Sequence, residues 1–258
     1  MPDRTLRSRF EFKYVISEAM ADRVRRVIRP FVRDDDFGLG PDGEGYSVCS
    51  LYCDTGDYRL LRQGLDGLKN RFKLRVRTYT DRPEDPVYFE VKRRMDGVVL
   101  KSRARVARAD ALRLFERQLW GARPHGNPDL DRFLTIAKNI GAVPIARVRY
   151  LRKAWASATG EPVRITIDSR IVHKPTRRYE LWHGGDGWEP TYVGGQVLEI
   201  KFTQHFPRWV GDMVRSLELQ RLPVAKYNLS MLQVLGMEWL SPVKWPARTR
   251  PQGRTSWT

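Results

Sequence analysis

The chain has 258 residues, and its 47 Lys and Arg against 30 Asp and Glu give it a formal net charge of +17. Hydrophobic residues make up 41% of the sequence and aromatic residues 11%, which is enough to bury a core and excludes a disordered basic tail. No apolar stretch reaches the ~20 residues of a membrane-spanning helix or resembles a secretory signal, so we expect a cytoplasmic protein with an anionic partner.

Apolar and polar residues alternate with a period of two in eight segments, which predicts eight β-strands. These segments are residues 9–16, 46–54, 69–79, 87–94, 98–106, 147–156, 163–170 and 196–203. Five further segments have the spacing of an amphipathic helix, namely residues 17–32, 110–119, 128–140, 207–217 and 225–235. The helix at 128–140 is the best marked, since Asn127 can cap it, Pro128 suits its first position and Gly141 follows its end.

The connecting segments carry less information. Residues 34–45 and 82–86 are predicted loops, and the Gly- and Trp-rich stretch 173–191 is expected to hold a short extra strand at 178–182. No linker divides the chain, so we expect one domain over residues 1–240. Residues 241–258 form a basic, Pro-containing tail that we expect to be flexible.

Cysteine and histidine content bears on redox state and on metals. Cys49 and Cys53 lie four residues apart in one predicted strand, which separates their Cα atoms by ~13 Å and excludes a disulfide. We therefore expect both to be reduced packing residues. Four scattered histidines and the lack of a CxxC spacing argue against a structural zinc site.

The positive charge follows the predicted strands. From Lys69 to Arg77 every second residue is basic, and Phe72, Leu74 and Val76 alternate with these cations. The cations therefore share one face of a strand. The same period recurs on other strands, in Glu11 and Lys13, in Glu90, Lys92 and Arg94, in Lys101, Arg103 and Arg105, in Tyr150 and Arg152, in Arg164 and Asp168, and in Glu199 and Lys201.

Because this pattern recurs on seven strands, it favours a charged interior over a set of solvated polar faces. A single such strand usually has a solvated polar face. If the five helices pack on the apolar faces, however, the charged faces meet inside an eight-stranded barrel. So many cations would repel one another unless a polyanion occupies the interior. The carboxylates on the same faces either pair with the cations or hold Mg²⁺ or Mn²⁺ together with phosphates.

Eight short motifs occur in order between Arg9 and Leu235. They are Glu11-Phe12-Lys13-Tyr14, Ser50-Leu51-Tyr52-Cys53-Asp54-Thr55, Lys73-Leu74-Arg75-Val76-Arg77-Thr78-Tyr79, Glu90-Val91-Lys92-Arg93, Tyr150-Leu151-Arg152, Val163-Arg164-Ile165-Thr166-Ile167-Asp168, Leu198-Glu199-Ile200-Lys201-Phe202 and Lys226-Tyr227. Together they resemble the vacuolar transporter chaperone (VTC) polyphosphate polymerase domain of the triphosphate tunnel metalloenzyme superfamily. The chain looks like a bacterial member of that group.

The resemblance implies an α+β fold in which eight antiparallel strands close into a β-barrel, the triphosphate tunnel, with helices packed outside. It implies a phosphotransferase that moves the terminal phosphoryl group of ATP onto inorganic polyphosphate, with Mn²⁺ or Mg²⁺ as cofactor. The implied catalytic residues are Arg75, Arg77, Arg164 and Lys92, and the implied phosphate contacts are Lys13, Arg103, Tyr150, Arg152, Lys201 and Lys226. Glu199 is the implied metal ligand, with Glu11 or Asp168 as possible helpers.

Two departures from the family pattern leave alternatives open. The N-terminal ExExK signature reads Arg9-x-Glu11-x-Lys13, and residues 223–227 read Pro-Val-Ala-Lys-Tyr where the family has Ser-Lys-Tyr preceded by a further lysine. The alternatives are an inorganic triphosphatase and a non-catalytic polyphosphate-binding module. Nucleic acid is not expected as a partner, because the cations alternate along strands and do not gather on a recognition helix. The sequence does not decide whether the protein has a membrane-bound partner.

Overall fold

Eight long strands form one strongly curled sheet, and two short strands extend it. The strands are β1 (Arg9–Ile16), β2 (Val32–Asp34), β3 (Tyr46–Asp54), β4 (Arg71–Thr78), β5 (Val87–Met95), β6 (Val98–Val106), β7 (Val143–Ser157), β8 (Val163–Pro175), β9 (Glu189–Pro190) and β10 (Gln196–Thr203). The helices are α1 (Glu18–Ile28), α2 (Arg59–Leu65), α3 (Arg108–Glu116), α4 (Pro128–Asn139), α5 (Arg208–Ser216) and α6 (Lys226–Val234), and a 3₁₀ turn follows at Glu238–Leu240. The structure is a computed structural model that describes residues 9–35, 43–96, 98–116, 125–158, 162–203 and 206–243.

Neighbouring strands follow the order β1-β10-β8-β7-β3-β4-β5-β6, and every neighbouring pair is antiparallel. Strands β1 and β6 are therefore the two edges, and within the described residues no backbone pairing joins them. Lys92 of β5 nevertheless contacts Glu11 of β1 at 3.0 Å, which places both side chains on the concave face. The predicted α+β fold with eight antiparallel strands is confirmed, whereas full closure of the barrel is not shown by the backbone pairing.

Helices cover the convex face of the sheet because the apolar residues of the strands point outward. Helices α1 and α5 pack on β8 and β10, where Val24 and Met213 meet Ile165 and Ile200. Helices α3 and α4 pack on β4, β5 and β6 in a second cluster around Phe133. The helices therefore lie outside, as predicted, and the concave face is left to the charged residues.

Helix α6 is the exception, since it lies across one end of the concave face. Tyr227 stacks on Tyr52 of β3 with 4.6 Å between ring centroids. The Tyr227 hydroxyl donates to Asp54 at 2.8 Å, and the same carboxylate accepts the backbone N–H groups of Leu60 and Leu61 in α2. The buried end of β3 thus holds both α2 and α6 in place.

The predicted elements agree with the structure in most of the chain. Four strands have the predicted bounds, while β7 and β8 run longer and pair with β2 and β9 at their ends. Helix α1 ends at Ile28, before the predicted residue 32, because Pro30 has no backbone N–H to continue the helical hydrogen bonds. Helix α2 and the strands β2 and β9 were not predicted.

The prediction of a strand at 178–182 is wrong, because these residues form no strand in the structure. The carbonyl oxygens of Leu181 and Trp182 accept hydrogen bonds from the side chains of Arg108 and Arg147, which replace a strand partner, and Leu181 packs into the outer core. The short strand of this segment is β9.

Three further predictions fall partly outside the described residues. They concern the loop at 34–45, of which 36–42 is outside, the helix end at 117–119, and the tail, of which 244–258 is outside. Val243, at the start of the predicted tail, is buried against the core. Cys49 and Cys53 are buried free thiols, as predicted, and burial raises the pKa of each to about 12. No helix in the described ranges is long and apolar enough to cross a membrane.

Candidate active site

The register of β4, β5 and β6 arranges the concave face in three rows of side chains. Lys73, Lys92 and Lys101 are direct neighbours across the three strands, and so are Arg75, Glu90 and Arg103. Arg77, Tyr88 and Arg105 form the third row. A strand alternates its side chains between two faces, so these nine residues share the face predicted from the sequence.

Glu90 is the counterion at the centre of these rows, and its side chain is fully buried. Its carboxylate lies 2.6 Å from Arg75, 2.7 Å from Lys101, 3.5 Å from Arg103 and 3.7 Å from Arg77. Burial alone would raise the pKa of Glu90, but Arg75, Arg77 and Lys101 outweigh it and hold the pKa well below the usual range. We call these five residues the Glu90 cluster.

Asp168 is the counterion of a second group on β7, β8 and α6. Arg152 donates to both of its carboxylate oxygens, at 2.6 and 2.7 Å, and Lys226 lies 2.6 Å away. The Arg152 and Lys226 charges also lie over the ring of Tyr150, at 5.2 and 4.7 Å from its centroid. In this Asp168 cluster the fully buried carboxylate ties α6 to the sheet.

A third group, the Glu199 cluster, contains two carboxylates on the neighbouring strands β1 and β10. Lys13 pairs with Glu199 and Glu11 with Lys201 in the strand register. Glu199 lies 2.5 Å from Lys201, and Glu11 lies 2.9 Å from Lys13 and 3.0 Å from Lys92. Burial and the Glu199 charge raise the pKa of Glu11, but Lys13 and Lys92 outweigh them and lower it to about 2. Both carboxylates therefore stay ionised.

The three clusters differ in what they offer to a divalent cation. Both oxygens of Asp168 are held by Arg152 and Lys226, which makes that carboxylate a poor metal donor. Glu11 and Glu199 are diagonal neighbours on β1 and β10, and the charge of Glu199 raises the pKa of Glu11, so two hard oxygen donors lie close together. Mg²⁺ and Mn²⁺ are commonly bound by one or two carboxylates plus substrate phosphates, so this donor set fits either ion. Within the described part of the chain no three His, Cys, Asp or Glu side chains gather into a site of their own, so phosphate oxygens would have to complete the coordination.

The sequence assignment gave no role to Lys73, and within β6 it chose Arg103 over Lys101 and Arg105, which share the same face. Lys73 donates to Oδ1 of Asn228 in α6 at 2.5 Å, and its Nζ lies 5.6 Å from the Tyr227 ring centroid. Burial, together with the charges of Lys13, Lys92 and Arg75, lowers the pKa of Lys73 to about 7. The pKa of Lys101 is lowered to about 7, chiefly by burial. Lys73 belongs to the same basic stripe as Arg75 and Arg77, so its position on the face was predictable even though its role was not assigned.

The predicted site residues fall into these clusters with one exception. Arg75, Arg77 and Arg103 belong to the Glu90 cluster, Tyr150, Arg152, Lys226 and Asp168 to the Asp168 cluster, and Lys13, Lys92, Lys201, Glu11 and Glu199 to the Glu199 cluster. Arg164 lies apart from Arg75 and Arg77, near the start of β8, where its guanidinium donates to Asp35 and to the Tyr46 hydroxyl. The structure therefore brings twelve of the thirteen residues into three adjoining ion-pair clusters.

Comparison with known proteins supports one family. The VTC domain matches residues 8–235 of this chain, a range that contains every strand and all six helices described here. No curated protein sequence matches the chain.

Solved structures that are similar to the chain include two proposed adenylate cyclases and a third protein. One cyclase is from Bacillus halodurans, with 14% identity, 83% of this chain and 92% of that chain covered, and a TM-score of 0.48. The other, from Vibrio parahaemolyticus, has 14% identity, 86% and 97% coverage and a TM-score of 0.46. The third, from Pyrococcus horikoshii, has 10% identity, 87% and 99% coverage and a TM-score of 0.46.

Proposed function

Because the chain belongs to the VTC domain family, we propose that it is a polyphosphate polymerase-type phosphotransferase that uses ATP. In the proposed reaction the terminal phosphoryl group of ATP is transferred to the end of an inorganic polyphosphate chain, and ADP leaves. Both reactants are polyanions, and both would lie along the concave face of the sheet.

The observation that carries this proposal is the excess of positive charge on the concave face. Glu90, Asp168 and Glu199 each form ion pairs with more than one Lys or Arg. The pKa of Lys73 is lowered to about 7 by burial and by neighbouring cations. The three clusters hold nine Lys and Arg side chains against four carboxylates, so the carboxylates leave part of the positive charge unneutralised. A bound chain of phosphates would supply the missing negative charge.

Phosphoryl transfer requires mainly positioning and charge stabilisation from a protein. Arg75 and Arg77 point to the same side of β4, and their planar guanidinium groups can each bind two phosphate oxygens. The attacking group is an oxygen of the terminal phosphate of the chain, which is already anionic and needs no general base. As the new P–O bond forms, the bond between the β,γ-bridging oxygen and the γ-phosphorus of ATP breaks.

Glu199 and Glu11 are the residues that would hold Mn²⁺ or Mg²⁺, as their side-by-side carboxylates allow. A divalent ion there would neutralise charge on the phosphates. Lys13 and Lys92, which contact Glu11, and Lys201, which contacts Glu199, would then be released toward phosphate oxygens. The roles of Lys13, Lys201, Arg152, Lys226, Tyr150 and Arg103 as phosphate contacts, and of Arg164 and Lys92 in the reaction, are part of the same proposal.

We also propose that the curled sheet closes into a tunnel around the substrate. The ion pair between Glu11 of the edge strand β1 and Lys92 of β5, the strand next to the other edge, already reaches across the opening of the curled sheet. A polyphosphate bound by cations of both β1 and β5 would draw those edges together. We also propose that the protein acts in the cytoplasm, where ATP is abundant, and the free thiols of Cys49 and Cys53 support this.

The test is to incubate the purified chain with ATP and Mn²⁺ and to size the phosphate products by gel electrophoresis. Long chains support the polymerase, orthophosphate alone indicates a triphosphatase, and polyphosphate binding without ATP turnover indicates a binding module. Arg77→Gln should abolish chain synthesis, because Arg77 is buried beside Glu90 on the concave face. Arg23→Gln, which removes an exposed arginine of α1, is the matched control and should leave synthesis unchanged.

A further inference from the structure

Three tyrosines gather at the end of the concave face that lies away from α6. Tyr46 begins β3, Tyr79 follows β4 and Tyr88 lies near the start of β5. The Tyr79 ring centroid is 6.1 Å from that of Tyr46 and 5.6 Å from that of Tyr88. All three residues are half-buried. We call these three residues and Arg103 the tyrosine rim.

Arg103 is held flat within this rim. Its guanidinium carbon lies 3.8 Å from the ring centroid of Tyr88, which is a stacking distance, and 5.7 Å from that of Tyr79. It also donates to the Tyr79 hydroxyl at 3.0 Å. The side chain is 33% exposed, so a planar cation supported by an aromatic ring is presented to solvent at the edge of the phosphate site.

The rim is one step away from the residues proposed to clamp phosphates. Tyr88 is the direct cross-strand neighbour of Arg77, and it precedes Glu90 on the same face of β5. Inward-facing residues of one strand are about 7 Å apart, so Tyr88 lies one such step from Glu90, and Arg103 belongs to both the Glu90 cluster and the rim. A triphosphate bound by Arg75 and Arg77 therefore has, at one of its ends, a set of flat aromatic and guanidinium surfaces.

We infer that the tyrosine rim binds the nucleobase of the phosphoryl donor by stacking. This inference rests on the proposed function, because it assigns the base of the nucleotide whose phosphates the clusters hold. Nucleobases stack on tyrosine rings and on guanidinium planes, and such stacking tolerates different bases since each has a π-face. Arg103 pairs with Glu90 and also lies over the Tyr88 ring, so it adjoins the proposed phosphate contacts and forms part of the base platform. Inorganic triphosphate and polyphosphate carry no base and would not use the rim.

Equilibrium binding, measured by calorimetry without turnover, tests this assignment. The probes are the non-hydrolysable β,γ-imido analogue of ATP and inorganic tripolyphosphate, each titrated into the intact chain. Tyr88→Ala should weaken binding of the analogue roughly 5- to 150-fold, the range expected for loss of one stacked base. Binding of tripolyphosphate should change less than twofold. Tyr88→Phe keeps the ring and should bind both ligands as the unaltered chain does.

The control is Tyr179→Ala, which truncates a tyrosine stacked on Phe115 outside the concave face and should affect neither ligand. Equal weakening of both ligands in Tyr88→Ala, or no weakening of the analogue, overturns the nucleobase assignment. Failure of the proposed function is a separate result, namely ATP that is bound through Tyr88 but never converted to polyphosphate.

Discussion

Binding of long-chain polyphosphate should weaken as the pH rises from 7 to 9, because Lys73 must carry a proton to bind it. In the free protein, burial and the charges of Lys13, Lys92 and Arg75 lower the pKa of Lys73 to about 7. A bound polyanion adds negative charge and moves this pKa back toward its ordinary value of 10.5. Below pH 7 the lysine is charged in both states. Between the two pKa values binding takes up a proton, so the affinity falls as the pH rises.

The size of this effect follows from the two pKa values. If polyphosphate restores the pKa of Lys73 to 10.5, the affinity at pH 9 is about 50-fold lower than at pH 7, or about 2.3 kcal/mol. Lys101 and Lys92, whose pKa values are lowered to about 7 and about 8, act in the same direction. Their side chains are 40% and 35% exposed, so solvent screens their charges and their contributions are smaller.

Calorimetric titration with long-chain polyphosphate, repeated in buffers of different ionisation enthalpy, measures both the affinity and the protons taken up. Lys73→Arg should reduce the proton uptake by about one, because a guanidinium stays charged at every pH used. Asn228→Asp should do the same with the lysine kept, since it places a carboxylate where Lys73 now meets an amide oxygen at 2.5 Å. Lys138→Arg, an exposed lysine of α4, is the matched control and should retain the full dependence. An affinity that is flat from pH 7 to 9, or a dependence that survives both variants, would refute the reasoning.

Three other predictions concern buried carboxylates, namely Glu199, Asp168 and Asp54. Glu199→Gln should abolish metal-dependent consumption of ATP, and unchanged consumption at saturating Mn²⁺ would remove Glu199 as a metal ligand. Arg152→Ala should lower the free energy of unfolding in urea by about 3–5 kcal/mol, because it breaks a buried ion pair with Asp168; a loss below about 1 kcal/mol would contradict that role. Tyr227→Phe should cost about 1–3 kcal/mol in the same assay, since it removes the hydroxyl that donates to buried Asp54, and an unchanged urea midpoint would count against the contact.

The strands were predictable because their signal is local. A strand with one charged and one apolar face alternates residue by residue, and this pattern gave β1, β3, β6 and β10 their correct bounds. Helix α2 lacks such a signal, since Tyr58 at its N-terminus has a left-handed backbone and no side-chain cap. Asp54 of β3 binds the free N–H groups of that helix instead. Contacts of this kind form only when the chain has folded, so sequence patterns could not reveal them.

The same distinction applies to the candidate site. Alternation showed that Lys73, Arg75 and Arg77 share one face, but it could not show what each one meets across the sheet. The register puts Glu90 beside Arg75, whereas α6 brings the neutral amide of Asn228 to Lys73. Two cations of one stripe thus differ in pKa, one raised and one lowered, because different elements reach them. This difference depends on tertiary structure and lies outside the sequence pattern.

The groups that balance the positive charge of the site favour a polyanionic ligand over a single phosphate. Glu90, Asp168 and Glu199 neutralise the arginines and part of the lysines permanently, because their pKa values lie far below neutral pH. Lys73 reduces the remaining repulsion in a second way, by losing its proton near pH 7. Only this second way can be reversed by a ligand, and the reversal requires negative charge near several cations at once. A chain of phosphates supplies charge at every step along the face, whereas one phosphate reaches a single cluster and leaves the others unchanged.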